Sequence, residues 1–202
     1  MITNRDQLID ALANNSTRIV IDKASIANTV AGQYHSLWRA TGQPGQGAIP
    51  AAAANCNQST VGGMRFSQQT APAKSYLAHL EATSSYSAMT LEVHDRLMHM
   101  GGLNGTLTTA QTVGLDFNGV TADNMVVRIG DANYSDIHWW REWYTDTGAT
   151  VVTATVAVTY NDGTTGNLTG VSLAATRRAS FMQPLNGLIP AAAAGKFIRA
   201  VN

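Results

Sequence analysis

Hydrophobic alternation is strongest in the last third of the chain. Val152, Ala154, Val156, Val158 and Tyr160 alternate with Val151, Thr153, Thr155, Ala157 and Thr159, the period-two pattern of a strand with one face on a core. Asn161-Asp162-Gly163 follows, and Asp-Gly is a favoured hairpin pair. Thr165–Leu173 is therefore expected to return as the partner strand, with a bulge at Gly166 or Gly170. A second alternation sets Met89, Leu91 and Val93 against Thr90, Glu92 and His94. It predicts a strand that continues through Asp95-Arg96-Leu97 and stops at Gly101-Gly102. Shorter strands are expected at residues 18–21, 75–81, 124–129, 137–144, 181–185 and 196–201, while residues 103–116 read as a strand or an extended loop. The one helical pattern is N-terminal: Asn4 can cap a helix that carries Leu8, Ile9 and Leu12 and ends at Asn14-Asn15-Ser16.

Seven to nine short strands with turn signals predict an all-β chain, a β-sandwich of jelly-roll type. The division expected is an N-terminal helix and arm over residues 1–36 and a β-sandwich domain over 37–202. Within the latter, residues 42–63 form a long loop rich in Gly, Pro and Ala, with Pro44 and Pro50 removing backbone donors. A loop of that length inside a domain is usually functional or part of an interface. Residues 196–202 end on a strand pattern, so they are expected either to form a sheet edge or to lack a further strand.

Composition narrows the function. Lys plus Arg and Asp plus Glu number 13 each, and charged residues make up 13% of 202, about half the usual share of roughly 25%. Clustered cations for phosphate contacts are missing, which argues against a nucleic-acid partner. No stretch of 18 apolar residues offers a membrane span, and MITNRDQLID lacks the apolar core of a signal peptide, so synthesis in a cytoplasm is expected. Cys56 has no partner in the chain.

Several constellations bear on chemistry. Glu92, His94, Asp95 and His99 have metal-ligand side chains, but on a strand His99 falls on the opposite face from Glu92 and His94. Asp131, Asn133, Ser135 and Glu142 stand at positions 1, 3, 5 and 12 of a calcium loop, yet Asp136 occupies the position that needs glycine; an Asx-rich turn is the alternative. There is no G-x-S-x-G elbow, and Cys56 has no neighbouring His. No catalytic residue, metal ligand, cofactor or small-molecule substrate is expected. Residues 138–144 (HWWREWY) hold three of four tryptophans. Such a stretch can be core, an interface anchor or a sugar-stacking platform.

Three segments in order carry a resemblance: LWRATGQPGQGAIP, SAMTLEVHDRLMHMGGL and TATVAVTYNDGTTGNLTG. Together they resemble a group of tailed-bacteriophage virion structural proteins, through the Gly-x-Pro-Gly-x-Gly loop at Gly42 to Gly47, Asp95-Arg96-Leu97, and the hairpin at Thr159 to Gly163. The resemblance implies a non-enzymatic particle component of the virion, made in the bacterial host cytoplasm. A capsid cement or decoration protein is expected, acting as a homotrimer across junctions of the major capsid protein. A neck, tail or adaptor role and a glycan-binding module are the alternatives. The residues expected at protein contacts are Leu8, Leu12, Trp38, Pro44, Ile49, Pro50, Arg96, Trp140 and Arg178.

Overall fold

A computed structural model describes residues 2–26, 28–65, 76–85, 89–131, 133–173 and 176–202, with the side chains of residues 172 and 173 left undescribed. In chain order its elements are α1 (Arg5–Asn14), β1 (Asp22–Lys23), β2 (Tyr34–His35), β3 (Gly42–Gln43), β4 (Ala54–Asn55), β5 (Met98–His99), β6 (Leu115–Asp116), α2 (Met125–Arg128), β7 (Trp140–Glu142), β8 (Val152–Tyr160), β9 (Thr165–Leu173), β10 (Phe181–Pro184) and β11 (Ile198–Val201). The strands form four antiparallel sheets: β1-β3, β4-β5, β2-β10-β7 and β6-β11-β8-β9. The chain is all-β, with little helix.

The expected hairpin forms. Val158 and Tyr160 are buried, Ala154 and Val156 are half-buried, and Thr153, Thr155 and Ala157 face outward. Gly163 sits at φ +83° and donates its N–H to the Tyr160 carbonyl at 3.0 Å. Asp162 braces the turn by accepting from the Thr164 N–H at 3.0 Å and hydroxyl at 2.6 Å. The register shifts between Ala154↔Val171 and Val156↔Leu168, so the extra residue lies at Thr169-Gly170, with Gly170 at φ +70°. The expected bulge is therefore at Gly170, the residue that adopts a left-handed conformation at least cost.

The C-terminal strand is not an edge: β11 lies between β6 and β8, hydrogen-bonded on both sides. Its sequence explains the position. Ile198, Ala200 and Val201 are all nearly or fully buried, while Arg199 sits at a register shift and reaches Asp116 on β6 at 3.1 Å. The Ile198 carbonyl at that irregularity accepts from the Trp139 indole N–H at 2.8 Å. Val158, Val171, Met125 and Ile198 are the largest fully enclosed side chains of the core.

Other expected strands do not form. Residues 124–129 include a single helical turn: Asp123 and Asn124 take left-handed φ of 55° and 57°, and Met125 swings into the core. Val126 and Val127 are left exposed, so β-branching lost to the burial of one methionine. Residues 18–21 and 76–81 are not strands, and residue 75 lies outside the described residues. The alternating segment at 89–97 pairs with no sheet; only Met98–His99 joins one, against Ala54–Asn55. Residues 137–144 contribute three strand residues, Trp140–Glu142. Residues 103–116 are mostly loop, with β6 at their end.

Candidate interaction surface

The Gly/Pro/Ala loop at 42–63 is built around one indole. Trp38 is 8% exposed. Its Nε1–H donates to the Ala48 carbonyl at 2.9 Å, and its own carbonyl accepts from the Gly47 N–H at 2.7 Å. Gly47 packs on the ring and Gly62 on the backbone of Gly47 so closely that neither site has room for a Cβ. The Arg96 guanidinium stacks 4.2 Å over the ring centroid, and His99 meets it edge-on at 5.5 Å. Lys23 closes the loop from below: its ammonium reaches the carbonyls of Leu37 (3.0 Å), Gly45 (3.3 Å) and Gly62 (3.3 Å). Burial pushes the Lys23 pKa down. The loop is ordered because one ring and one cation absorb its backbone groups. Composition alone does not reveal Lys23, since the three carbonyls come from residues 14 to 39 positions away.

Behind this seat runs a polar seam. The Glu142 side chain is 6% exposed and faces Arg96 at 3.7 Å. Desolvation raises its pKa, with Arg96 opposing. His99 is also buried, and desolvation followed by repulsion from Arg96 pulls its pKa down to about 4. Arg128 bonds both Asp95 oxygens at 2.8 and 2.7 Å, the Cys56 carbonyl at 2.5 Å and the Arg96 carbonyl at 3.1 Å. No sequence motif flags Arg128.

The expected contact residues therefore divide. Trp38 and Arg96 face each other, the indole nearly enclosed beneath a half-buried guanidinium. Pro44, Ile49 and Pro50 are half-buried, with Ile49 packed against Gly101 and the Pro50 carbonyl taking the Gly101 N–H at 2.8 Å. Arg178 is exposed and pairs with Asp146 at 2.8 Å. Trp140 is half-buried and meets Tyr34 edge-on at 5.0 Å. Trp139 and Trp143 are core, the latter between Phe181 and the Arg141 guanidinium. The stretch is not a stacking platform of exposed rings.

The metal-type residues also go separate ways. Glu92 and His94 pair with each other at 3.0 Å, Asp95 goes to Arg128 and His99 to Trp38. Asp131 and Asn133 accept from the N–H groups of Asn133 (3.1 Å) and Ser135 (2.8 Å), which is the Asx-turn arrangement, and Glu142 faces Arg96. Among the described residues no three His, Cys, Asp or Glu side chains gather as a metal site.

Leu8 and Leu12 stand on a surface that is apolar and uncovered. Asn4 caps α1 by accepting from the Gln7 N–H at 2.9 Å, as expected. No residue of α1 is buried: Leu8 is 45% exposed, Ile9 51% and Leu12 47%. Exposed Ile19, Val20, Ile21, Val30, Leu77, Leu80, Met89, Leu91 and Val93 extend this character through the arm and the 76–93 segment. Among the described residues, more large apolar side chains are exposed than buried. A ten-residue helix is marginal alone in water, so α1 needs a surface to pack on. No family model, curated protein or solved structure matches the chain.

Proposed function

We propose that this chain is a non-enzymatic structural component of a tailed-phage virion, a cement or decoration protein that binds across junctions of the major capsid protein. The observation that carries the reading is the exposed apolar surface of α1 and the arm, which monomers rarely leave open on this scale. The motif resemblance at residues 42–47, 95–97 and 159–163 supplies the class of particle. The rigid part is a sandwich-like body made from the three- and four-stranded sheets, with α1 and the arm reaching to neighbours.

The energetics are those of linked binding. A protein that binds the assembled shell and not loose subunits stabilises the shell by its binding free energy. Several weak contacts per oligomer multiply the effect through effective concentration. The buried titratable groups, Glu142 and His99, lie against Arg96 and Trp38 and serve the fold.

The test is co-sedimentation with assembled shells. The intact chain should pellet with shells and not with free capsid subunits. A Leu8→Asp/Leu12→Asp variant should stay in the supernatant while keeping its folded-state circular dichroism. Pelleting equal to wild type would remove α1 from the interface.

A further inference from the structure

We propose that residues 89–94 are a β-strand whose sheet lies in a second copy of this chain, where they add to the exposed edge of β9. This goes beyond the shell reading and does not depend on it. Among the described residues, two halves of one ladder are left without a partner.

The donor half is the alternating segment. Met89, Leu91 and Val93 are 57%, 44% and 45% exposed, opposite Thr90, Glu92 and His94. The pattern is that of a strand with one buried face. Yet none of residues 89–94 makes a backbone hydrogen bond to a described residue; the first such bond downstream is from the Cys56 N–H to the Leu97 carbonyl at 2.8 Å. The neighbouring loop at 104–111 is no rival donor, because it closes on itself: Gln111 accepts from the Asn104 N–H at 2.8 Å and donates to its carbonyl at 2.9 Å.

The acceptor half is β9. It is the outer strand of the four-stranded sheet and is paired with β8 alone. Thr165, Asn167 and Thr169 are exposed, and no proline or charged residue lies between Thr165 and Leu173. Natural edges are normally guarded by such residues, and this one is not. The bulge at Gly170 ends its regular stretch, leaving residues 165–169 as the accepting edge, close in length to the donor.

The faces also agree. Leu168 and Val171, 2% and 0% exposed, mark the apolar side of β9. An added strand continues that side with Met89, Leu91 and Val93, and places Thr90 and Glu92 beside Asn167 and Thr169 on the wet side. The segment's root is fixed on its own body by Asp95–Arg128 and by Leu97–Cys56, and its own β9 pairs with β8 and not with it, so the edge it fills is assigned to another molecule.

A second copy is the occupant because each chain brings one donor and one acceptor. Such head-to-tail contacts generate a ring where the rotation closes and a filament where it does not.

The test uses the full chain. Light scattering after gel filtration should give an oligomer for the wild type and a monomer for Leu91→Pro, with unchanged far-UV circular dichroism. In parallel, Glu92→Cys and Asn167→Cys chains are mixed and treated with a short bis-maleimide. A cross-linked dimer should form in the mixture and not with either variant alone. A monomeric wild type, an oligomeric Leu91→Pro, or a mixture that cross-links no better than its components would each overturn the proposal.

Discussion

Arg128 holds Asp95 with two parallel hydrogen bonds, Nε to Oδ2 at 2.8 Å and Nη2 to Oδ1 at 2.7 Å, while the same guanidinium caps the carbonyls of Cys56 and Arg96. The two partners are not equally enclosed: the Arg128 side chain is 19% exposed and that of Asp95 57%. The guanidinium joins α2 to the segment that leads into β5 and, through the Cys56 carbonyl, to the residue after β4.

That asymmetry predicts unequal losses. Arg128→Ala strands two carbonyls and should cost about 2–4 kcal/mol. Asp95→Ala leaves the guanidinium its carbonyl partners and removes a largely solvated charge, so its cost should stay under about 1 kcal/mol. Urea denaturation of both variants measures the difference; equal losses would mean that the ion pair, and not the carbonyl capping, holds the seam.

His99 sets a pH dependence. Its folded pKa is about 4, below the ordinary value of 6.5. Above pH 6.5 the ring is neutral in both states and has no effect. Below that, the unfolded chain takes up a proton that the folded chain refuses, and stability falls until about pH 4. The full loss is on the order of 3 kcal/mol. Glu142, whose pKa is raised, works the other way: its buried charge is a cost at neutral pH that protonation relieves as pH falls toward the carboxylate range. The melting temperature should therefore drop from pH 7 to pH 5, and His99→Gln should flatten that slope. An unchanged slope would show that another group governs it.

Gly47→Ala tests the Trp38 seat. A Cβ at this position meets the indole itself, and the facing backbone of Gly62 leaves no room to retreat. The variant should lose more than about 2 kcal/mol, as overpacked sites do, and its tryptophan emission should shift to the red. Gly45→Ala, where a Cβ meets nothing within 4 Å, is the matched control and should be near neutral.

How much the sequence foretold depends on whether the partner of each pattern is local. The hairpin of β8 and β9 was legible, with its bulge narrowed to Gly166 or Gly170, because alternation, turn chemistry and pairing all lie within residues 152–173. The capped helix was legible for the same reason: Asn4 meets Gln7 three residues on. Residues 89–94 carry an equally clear alternation and form no strand, since a strand needs an edge and none of the described edges takes them. At residues 124–129 the β-branched pair Val126-Val127 gave the wrong element, because the burial of Met125 decided the backbone. Trp38 and Arg96 were each named as contact residues, but their pairing was not legible, because they meet across 58 residues of sequence. Lys23 and Arg128 carried no signal, because their partners are backbone carbonyls, which every residue has.

The helix α1 separates stability from function. Leu8→Asp/Leu12→Asp alters exposed side chains of a helix that buries no residue, so the unfolding free energy of the isolated chain should change by less than about 0.5 kcal/mol. Chemical denaturation measures this. A loss of several kcal/mol would mean that α1 packs on its own chain and is not available to a partner.

The most direct test of the proposed virion role is the amount of this protein, relative to the major capsid protein, in tailed-phage particles purified from cells that carry its gene. Quantitative mass spectrometry should return a ratio near one or a simple fraction such as about one third, as threefold or pseudo-threefold occupation of a closed shell requires. Absence from the particle would contradict the account, and a handful of copies per particle would move the protein from the shell to the neck or tail.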